Sequence, residues 1–531
     1  MTNANLPAWV HRLSLIRSVL LRIPRPVYAL VAGCGLVLAF APFNLWVLAL
    51  LCPSLLFWLL KQARSPLEAA WIGWLFGLGL WLAGMYWLYF SISSVGVSAW
   101  LSALITIGFA ACMACFQLLT GWIFYLLLHY RMPAKAGNRL LGNWDSALLF
   151  AAVWLLIEWC RSWIATGLPW LQLGTTSISW WASGWLPVIG QSGVAAVLLA
   201  GGAMVVAGRT FAARLVMVAV LLCMALAGGV LKQIDWVRTE RVLEVRVIQT
   251  NFDASYRWTT EGLQRVLSQS LALTSQGATL ILWPETALPI RDSWPVAQQL
   301  EEYLNKTYSA RGQSLVYGVL HDRQDRLNAP IYNALKVTGH EQEIYLKRRL
   351  VPFGEYTPEF LSSFFQLLNF PESSLSSGPQ HQAVIQIDGI QIAPAVCYEV
   401  IYPDYAARLA EAGLGVTISN DAWFGESIGP WQHLQIAQVQ AAESRRWLLR
   451  SVNGGIGGVI NARGEMAHTL MPFQPDAISA TVPVVQHATP ASWLPAWFYA
   501  ALSALFIALY LAAGHSGWPL RLRFMGQKVR D

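Results

Sequence analysis

Eight long apolar runs constrain this chain more than anything else in it. They cover residues 27–44, 45–60, 69–93, 97–129, 146–166, 190–208, 211–231 and 493–513. A helix that crosses a bilayer needs about 20 predominantly apolar residues. In lipid, a lone segment can satisfy its own backbone only as a helix. Each run is therefore expected to be a span. The composition agrees: 12% of the 531 residues are charged, against about 25% in a soluble domain. Twenty-seven tryptophans fit many membrane interfaces, where indole rings settle at headgroup depth. The first two runs abut through Ala41-Pro42-Phe43-Asn44, a tight turn. The run 97–129 exceeds one crossing and is expected to tilt or to project from the bilayer.

Lysine and arginine alternate along the connections. Arg12, Arg17, Arg22 and Arg25 precede the first run, and Lys61 and Arg64 follow the second. Arg131, Lys135 and Arg139 follow the fourth, Arg209 and Arg214 the sixth, and Arg521, Arg523, Lys528 and Arg530 the last. The intervening connections, 41–44, 91–98 and 167–189, contain neither residue type. By the positive-inside rule both termini are expected in the cytoplasm, and the large segment after the seventh run outside it. Leu38-Ala39-Phe40-Ala41 resembles a signal-peptide cleavage site. Pro42 directly after it and the alternation downstream both argue that the first run is retained. Glu158 and Arg161 lie three apart, on one helical face near the end of the fifth run. Charges at that depth are functional candidates, or an ion pair that pins helices together.

Residues 232–490 have a different texture, short β-rich runs alternating with helical stretches, which predicts an α/β layered domain. The chain thus divides into a membrane part (1–231), this domain, and a last span with its tail (491–531). Strands are expected at 242–250, 278–283, 315–320, 334–338, 343–350, 383–387, 391–396, 415–419, 449–453, 458–462 and 478–482. Helices are expected at 260–275, 295–310, 404–411 and 433–446. The stretch 360–370, with Phe364 and Phe365, is too apolar for an exposed loop and too short for a span. It is either a core helix or a lid that dips into the outer leaflet and lines the substrate approach.

Six of the seven cysteines lie in the apolar runs; Cys397 alone belongs to the α/β region, in Ala395-Val396-Cys397-Tyr398-Glu399. A thiol must lose its proton to act as a nucleophile. A helix following at about Tyr402 is expected to assist the anion. An inert buried cysteine would be the commoner fate of one such residue. Glu285, in Leu282-Trp283-Pro284-Glu285 at the end of an apolar strand, stands where layered α/β folds place active-site groups. A carboxylate there can serve as general base. Lys347, in Tyr345-Leu346-Lys347-Arg348-Arg349, can hold a tetrahedral oxyanion. Arg348 and Arg349 are expected to meet lipid phosphates. In this order the three residues point to acyl transfer through a thioester.

These segments resemble the three motif neighbourhoods of the nitrilase, or carbon–nitrogen hydrolase, superfamily: Trp283-Pro284-Glu285-Thr286, Leu346-Lys347-Arg348-Arg349-Leu350-Val351-Pro352-Phe353-Gly354-Glu355-Tyr356 and Val396-Cys397-Tyr398-Glu399. With membrane runs on both sides, the whole chain resembles the bacterial apolipoprotein N-acyltransferase family. The resemblance implies a polytopic helical membrane domain carrying a periplasmic α-β-β-α sandwich in the inner membrane. It also implies Glu285 as base, Lys347 as oxyanion stabiliser and Cys397 as nucleophile. Glu355, Tyr398, Glu399 and Trp258 would support the site, while Asn420, Trp423 and Phe424 would line the substrate approach. The implied partners are a phospholipid acyl donor, expected to be phosphatidylethanolamine used at sn-1, and apolipoproteins bearing diacylglyceryl-cysteine. No metal, diffusible cofactor or nucleic acid is called for. The competing reading is a membrane-tethered amidase or nitrilase, identical up to the thioester but resolved by water. A transporter with a sensor domain, or a scaffold on an inactive fold, has less support.

Overall fold

The computed structural model describes residues 24–130, 144–252, 259–274, 277–322, 329–356 and 375–515. Helices stand at all eight apolar runs. The first seven runs give α1 (Arg25–Val37), α2 (Leu48–Lys61), α3 (Pro66–Gly84) with the short α4 (Leu88–Ser93), α5 (Ala99–Tyr130), α6 (Trp144–Arg161), α7 (Leu186–Ala207) and α8 (Phe211–Gln233). The eighth gives the last described helix, Phe498–His515. Among the described residues, four helices are long and apolar enough to cross a membrane: Pro66–Gly84, Ala99–Tyr130, Trp181–Ala207 and Phe211–Gln233. Some runs overstate helix length because hydropathy does not register backbone breaks. The run 27–44 leaves the helix after Val37 and finishes as turns. The run 69–93 breaks at Met85, whose φ of −129° lies outside the helical region.

Small residues let α3 and α5 pack backbone to backbone, the usual device of helix pairs in lipid. A methyl group added to Gly73 would lie 2.2 Å from the Gln117 carbonyl oxygen, and one on Gly121 2.4 Å from that of Ala69. The contact is reciprocal and leaves no room for a larger side chain.

The α/β region runs β1 (Arg238–Gln249), α9 (Thr260–Leu273), β2 (Leu280–Leu282), β3 (Leu288–Arg291), α10 (Pro295–Ser309), β4 (Ser314–Asp322), β5 (Ile331–Gly339) and β6 (Glu343–Leu346). It continues through β7 (Ile385–Ile387), β8 (Ile390–Val396), α11 (Asp404–Glu411), β9 (Leu414–Asn420), α12 (Gly429–Ser444), β10 (Leu448–Asn453), β11 (Gly458–Ile460), β12 (Met466–Thr469) and β13 (Asp476–Gln486) to α13 (Phe498–His515). One sheet has the order β13-β1-β2-β4-β5-β6 with β3 beside β4; the other has β12-β11-β10-β9-β8-β7. Their inner faces share one core, in which Val245, Val247, Leu282 and Val316 meet Ile392, Val416, Ile418 and Leu449, all fully buried. Each such side chain contributes about 1.5–3 kcal/mol of burial. Helices α9 and α10 cover the outer face of the first sheet, through residues such as Leu304 and Tyr308. Helices α11 and α12 cover the second, through Leu409, Ala437 and Ala441. The result is an α-β-β-α sandwich.

The outer layer of the second sheet is shared with the apolar helices, which explains α12. It is buried on nearly every side, including the polar Gln432, His433, Gln435 and Gln440. Buried polar groups need partners, and the side-chain oxygens of Gln432 and Gln435 find theirs across the junction. Gln435 Oε1 accepts from the Ala41 amide (3.0 Å), and its amide donates to Asn44 Oδ1 (3.2 Å). Gln432 Oε1 accepts from the indoles of Trp170 (2.7 Å) and Trp87 (3.4 Å). Ser91 Oγ donates to the Trp423 carbonyl (2.7 Å). The Tyr398 hydroxyl donates to the Gly167 carbonyl (3.0 Å). All three connections that lack lysine and arginine therefore touch the α/β domain.

Candidate active site

Glu285, Lys347 and Cys397 follow β2, β6 and β8, so three strand ends deliver them to one edge of the sandwich. Gly318 in β4 makes room for the first: a methyl there would lie 2.7 Å from the Glu285 Cα. Lys347, 1% exposed, places Nζ 3.2 Å from Glu285 Oε1 and 2.9 Å from Glu355 Oε1. Asn333 Nδ2 donates to the same two oxygens, at 2.7 and 2.8 Å. Glu355 Oε2 accepts from the Val351 amide at 2.8 Å, which closes the loop that carries it. Burial opposes the charge on Lys347, but Glu285, Glu355 and Cys397 together outweigh it and hold the ammonium well above its ordinary pKa.

Cys397 sits at φ +51°, a conformation that costs a non-glycine residue about 1–3 kcal/mol and clusters at functional sites. The strain turns the chain sharply from β8 into a 3-10 turn, Cys397–Ile401. The helix expected to assist the anion from about Tyr402 starts at Asp404, beyond Pro403 and the 3-10 turn. Burial pushes the thiol pKa well up and the Glu285 carboxylate adds to this; Lys347 and a hydrogen bond with Ser419 pull it down. The pocket thus favours the neutral thiol and the charged ammonium of Lys347.

Glu399 ties the turn to the Lys347 segment. Its Oε1 accepts from the Tyr345 hydroxyl (2.9 Å) and the Arg348 amide (2.8 Å), and its Oε2 from the Val396 amide (2.8 Å). Burial raises its pKa against those bonds. Arg348 stays with this network, 3.8 Å from Glu399, and Arg349 lies 3.7 Å from Asp404. Both arginines expected at lipid phosphates thus have partners inside the domain.

Asn420 is buried and accepts from Asn453 Nδ2 at 2.8 Å, so it locks β9 to β10. Trp423 and Phe424 form a short turn resting on the membrane domain, where the Phe424 ring lies 4.6 Å from that of Trp87. Trp258, Phe364 and Phe365, with the stretch 360–370, lie outside the described residues. The structure adds Asn333, Tyr345 and a buried group behind the nucleophile. Asp421 there accepts from Ser419 Oγ (2.7 Å) and Arg450 Nη2 (2.6 Å) and faces His433 Nδ1 at 2.9 Å. Burial raises its pKa, but His433 and Arg450 more than reverse this and bring it to about 2. Asn333, His433 and Arg450 lie outside the quoted motifs, and their site partners are distant in sequence.

Two family models match the chain: the apolipoprotein N-acyltransferase N-terminal domain over residues 32–204 and the carbon–nitrogen hydrolase over 244–487. The apolipoprotein N-acyltransferase of Pseudomonas putida is 35% identical over 502 residues, covering 92% of this chain and 97% of its own. The chain belongs to the apolipoprotein N-acyltransferase family. Its relative from Azotobacter vinelandii is 36% identical (94% and 95% covered), and that from Vibrio parahaemolyticus 32% (92% and 98%). The N-terminal match ends within α7 and the hydrolase match starts within β1, so each family domain contains one of the two textures read from the sequence.

Proposed function

We propose that the protein moves an acyl chain from a membrane phospholipid, through a thioester on Cys397, to the α-amine of diacylglyceryl-cysteine on lipoproteins. The observation that carries this is the convergence of the buried Glu285, Lys347 and Cys397 at one edge of a sandwich joined to a helical membrane domain. Glu285 takes the thiol proton as sulfur attacks the ester carbonyl, so charge moves within the pocket and none is created there. Lys347 and the Tyr398 amide hold the oxyanion. The carbon–oxygen bond then breaks, and Glu285 returns the proton to the departing lysophospholipid oxygen. The incoming amine attacks the thioester, gives its proton to Glu285, and expels the sulfur, which is reprotonated. A thioester suits this second step because it is activated toward amines. Glu355 and Glu399 fix Lys347 and the turn at Cys397, with Trp258 assigned beside them by sequence; Trp423 and Phe424 border the approach, with Phe364 and Phe365 assigned to it by sequence.

The donor we assign is phosphatidylethanolamine, cleaved at sn-1. We place the protein in the inner membrane as eight spans, with residues 232–490 in the periplasm and both termini in the cytoplasm. The contacts of all three cation-free connections with the α/β domain support this sidedness, as does the position of Lys61 near Ser146 Oγ (3.4 Å), at helix ends away from it. The test supplies phospholipid with a labelled acyl chain and a diacylated lipopeptide to the full chain in detergent. Label is expected in an amide on the peptide. Release of label as free fatty acid at saturating peptide would instead make the protein a hydrolase.

A further inference from the structure

We infer that His433 is a positioning residue for the oxyanion site, acting through the Cys397–Tyr398 peptide. This deepens the proposed acyl transfer and rests on it. His433 Nε2 lies 3.3 Å from the Cys397 carbonyl oxygen. A carbonyl only accepts, so that ring nitrogen carries the hydrogen. The other ring nitrogen lies 2.9 Å from Asp421 Oδ1 and 3.1 Å from Arg450 Nη2, and bonds one or the other according to whether it carries a hydrogen. All three side chains are at most 1% exposed, so the ring has one orientation. It is fixed further by Trp170, whose ring centroid lies 5.7 Å away.

The consequence follows from peptide geometry. In a trans peptide the C=O and the following N–H lie in one rigid plane and point in opposite directions. Anchoring the Cys397 carbonyl on His433 aims the Tyr398 N–H the other way. A hydrogen bond to the carbonyl also polarises the peptide and strengthens that N–H as a donor. Cys397 is at φ +51°, so the plane needs an outside hold to keep this direction. His433 supplies such a hold from α12, the helix pressed against the membrane domain.

The test separates oxyanion formation from thiol reactivity. Single-turnover acylation by phospholipid passes through an oxyanion, whereas alkylation of Cys397 by iodoacetamide does not. His433→Leu is expected to slow acylation by about 10- to 100-fold, below the 10²–10³ lost when a donor is removed outright. Alkylation should change less than about twofold. His433→Gln can place a donor near the Nε2 position and should recover most of the acylation rate; His433→Phe, which fills the space without a donor, should not. Equal acylation in His433→Leu and wild type would overturn the proposal. So would parallel loss of acylation and alkylation, or rescue by Phe as good as by Gln. If the wild type itself never acquires an acyl group, the underlying transfer reading fails instead.

Discussion

Removing the Lys347 charge probes the pocket most severely. In Lys347→Met two buried carboxylates, Glu285 and Glu355, face each other across Asn333, whose Nδ2 already serves both. Taking one partner from a buried ion pair costs about 3–5 kcal/mol. Because Asn333 still bridges the acids, we expect about 3 kcal/mol. Lys347 has its pKa raised by those carboxylates, so its contribution in the wild type is complete below the ordinary lysine value and stays flat from pH 5 to 8. In the variant, a proton shared by the two acids can replace the lost cation only at low pH. The stability gap is therefore expected to widen from pH 5 to pH 8, read by thermal unfolding of the detergent-solubilised full chain. Adding Glu355→Gln removes one of the opposed charges and should recover at least half of the loss, without restoring acyl transfer. A Lys347→Met protein as stable as wild type at pH 8, or a double variant less stable than the single, would refute this account.

Two further outcomes follow from the same geometry. Glu285→Gln should cut acyl transfer by about 10²–10⁴-fold as a general base is lost, yet alkylation of Cys397 should not fall, because the carboxylate charge opposes the thiolate. Asp421→Asn leaves the buried Arg450 without its anion. With its pKa held at about 2 against about 3.9 unfolded, Asp421 stabilises above pH 4 and loses that contribution as pH falls through 2. The variant should be roughly 2–3 kcal/mol less stable at pH 7, with a smaller deficit at pH 3, measured by the same unfolding assay.

What the sequence made legible was chemistry printed beside an apolar strand. Glu285, Lys347 and Cys397 each stand just past such a run, and topology places strand ends together. Strands β3 and β12 escaped for opposite reasons. Leu288–Arg291 is four residues with a proline, whereas Met466–Thr469 is a polar edge with three exposed residues. Asn333 and His433 gave no signal, because each acts on a group 48 or 36 residues away. The helix expected at 404–411 is in place, but the 3-10 turn between it and Cys397 was not legible, because periodicity cannot register a φ of +51°. The expected run 190–208 begins at the break at Gly190, where φ is +65°, and misses the turn 186–189 that α7 adds before it.

Intact-mass analysis of the full chain after exposure to phospholipid, without acceptor, tests the thioester most directly. Wild type is expected to gain one acyl chain that hydroxylamine removes, and Cys397→Ala to gain none. An acyl mass persisting in Cys397→Ala, or a wild type that stays bare while transfer to lipopeptide proceeds, would contradict it.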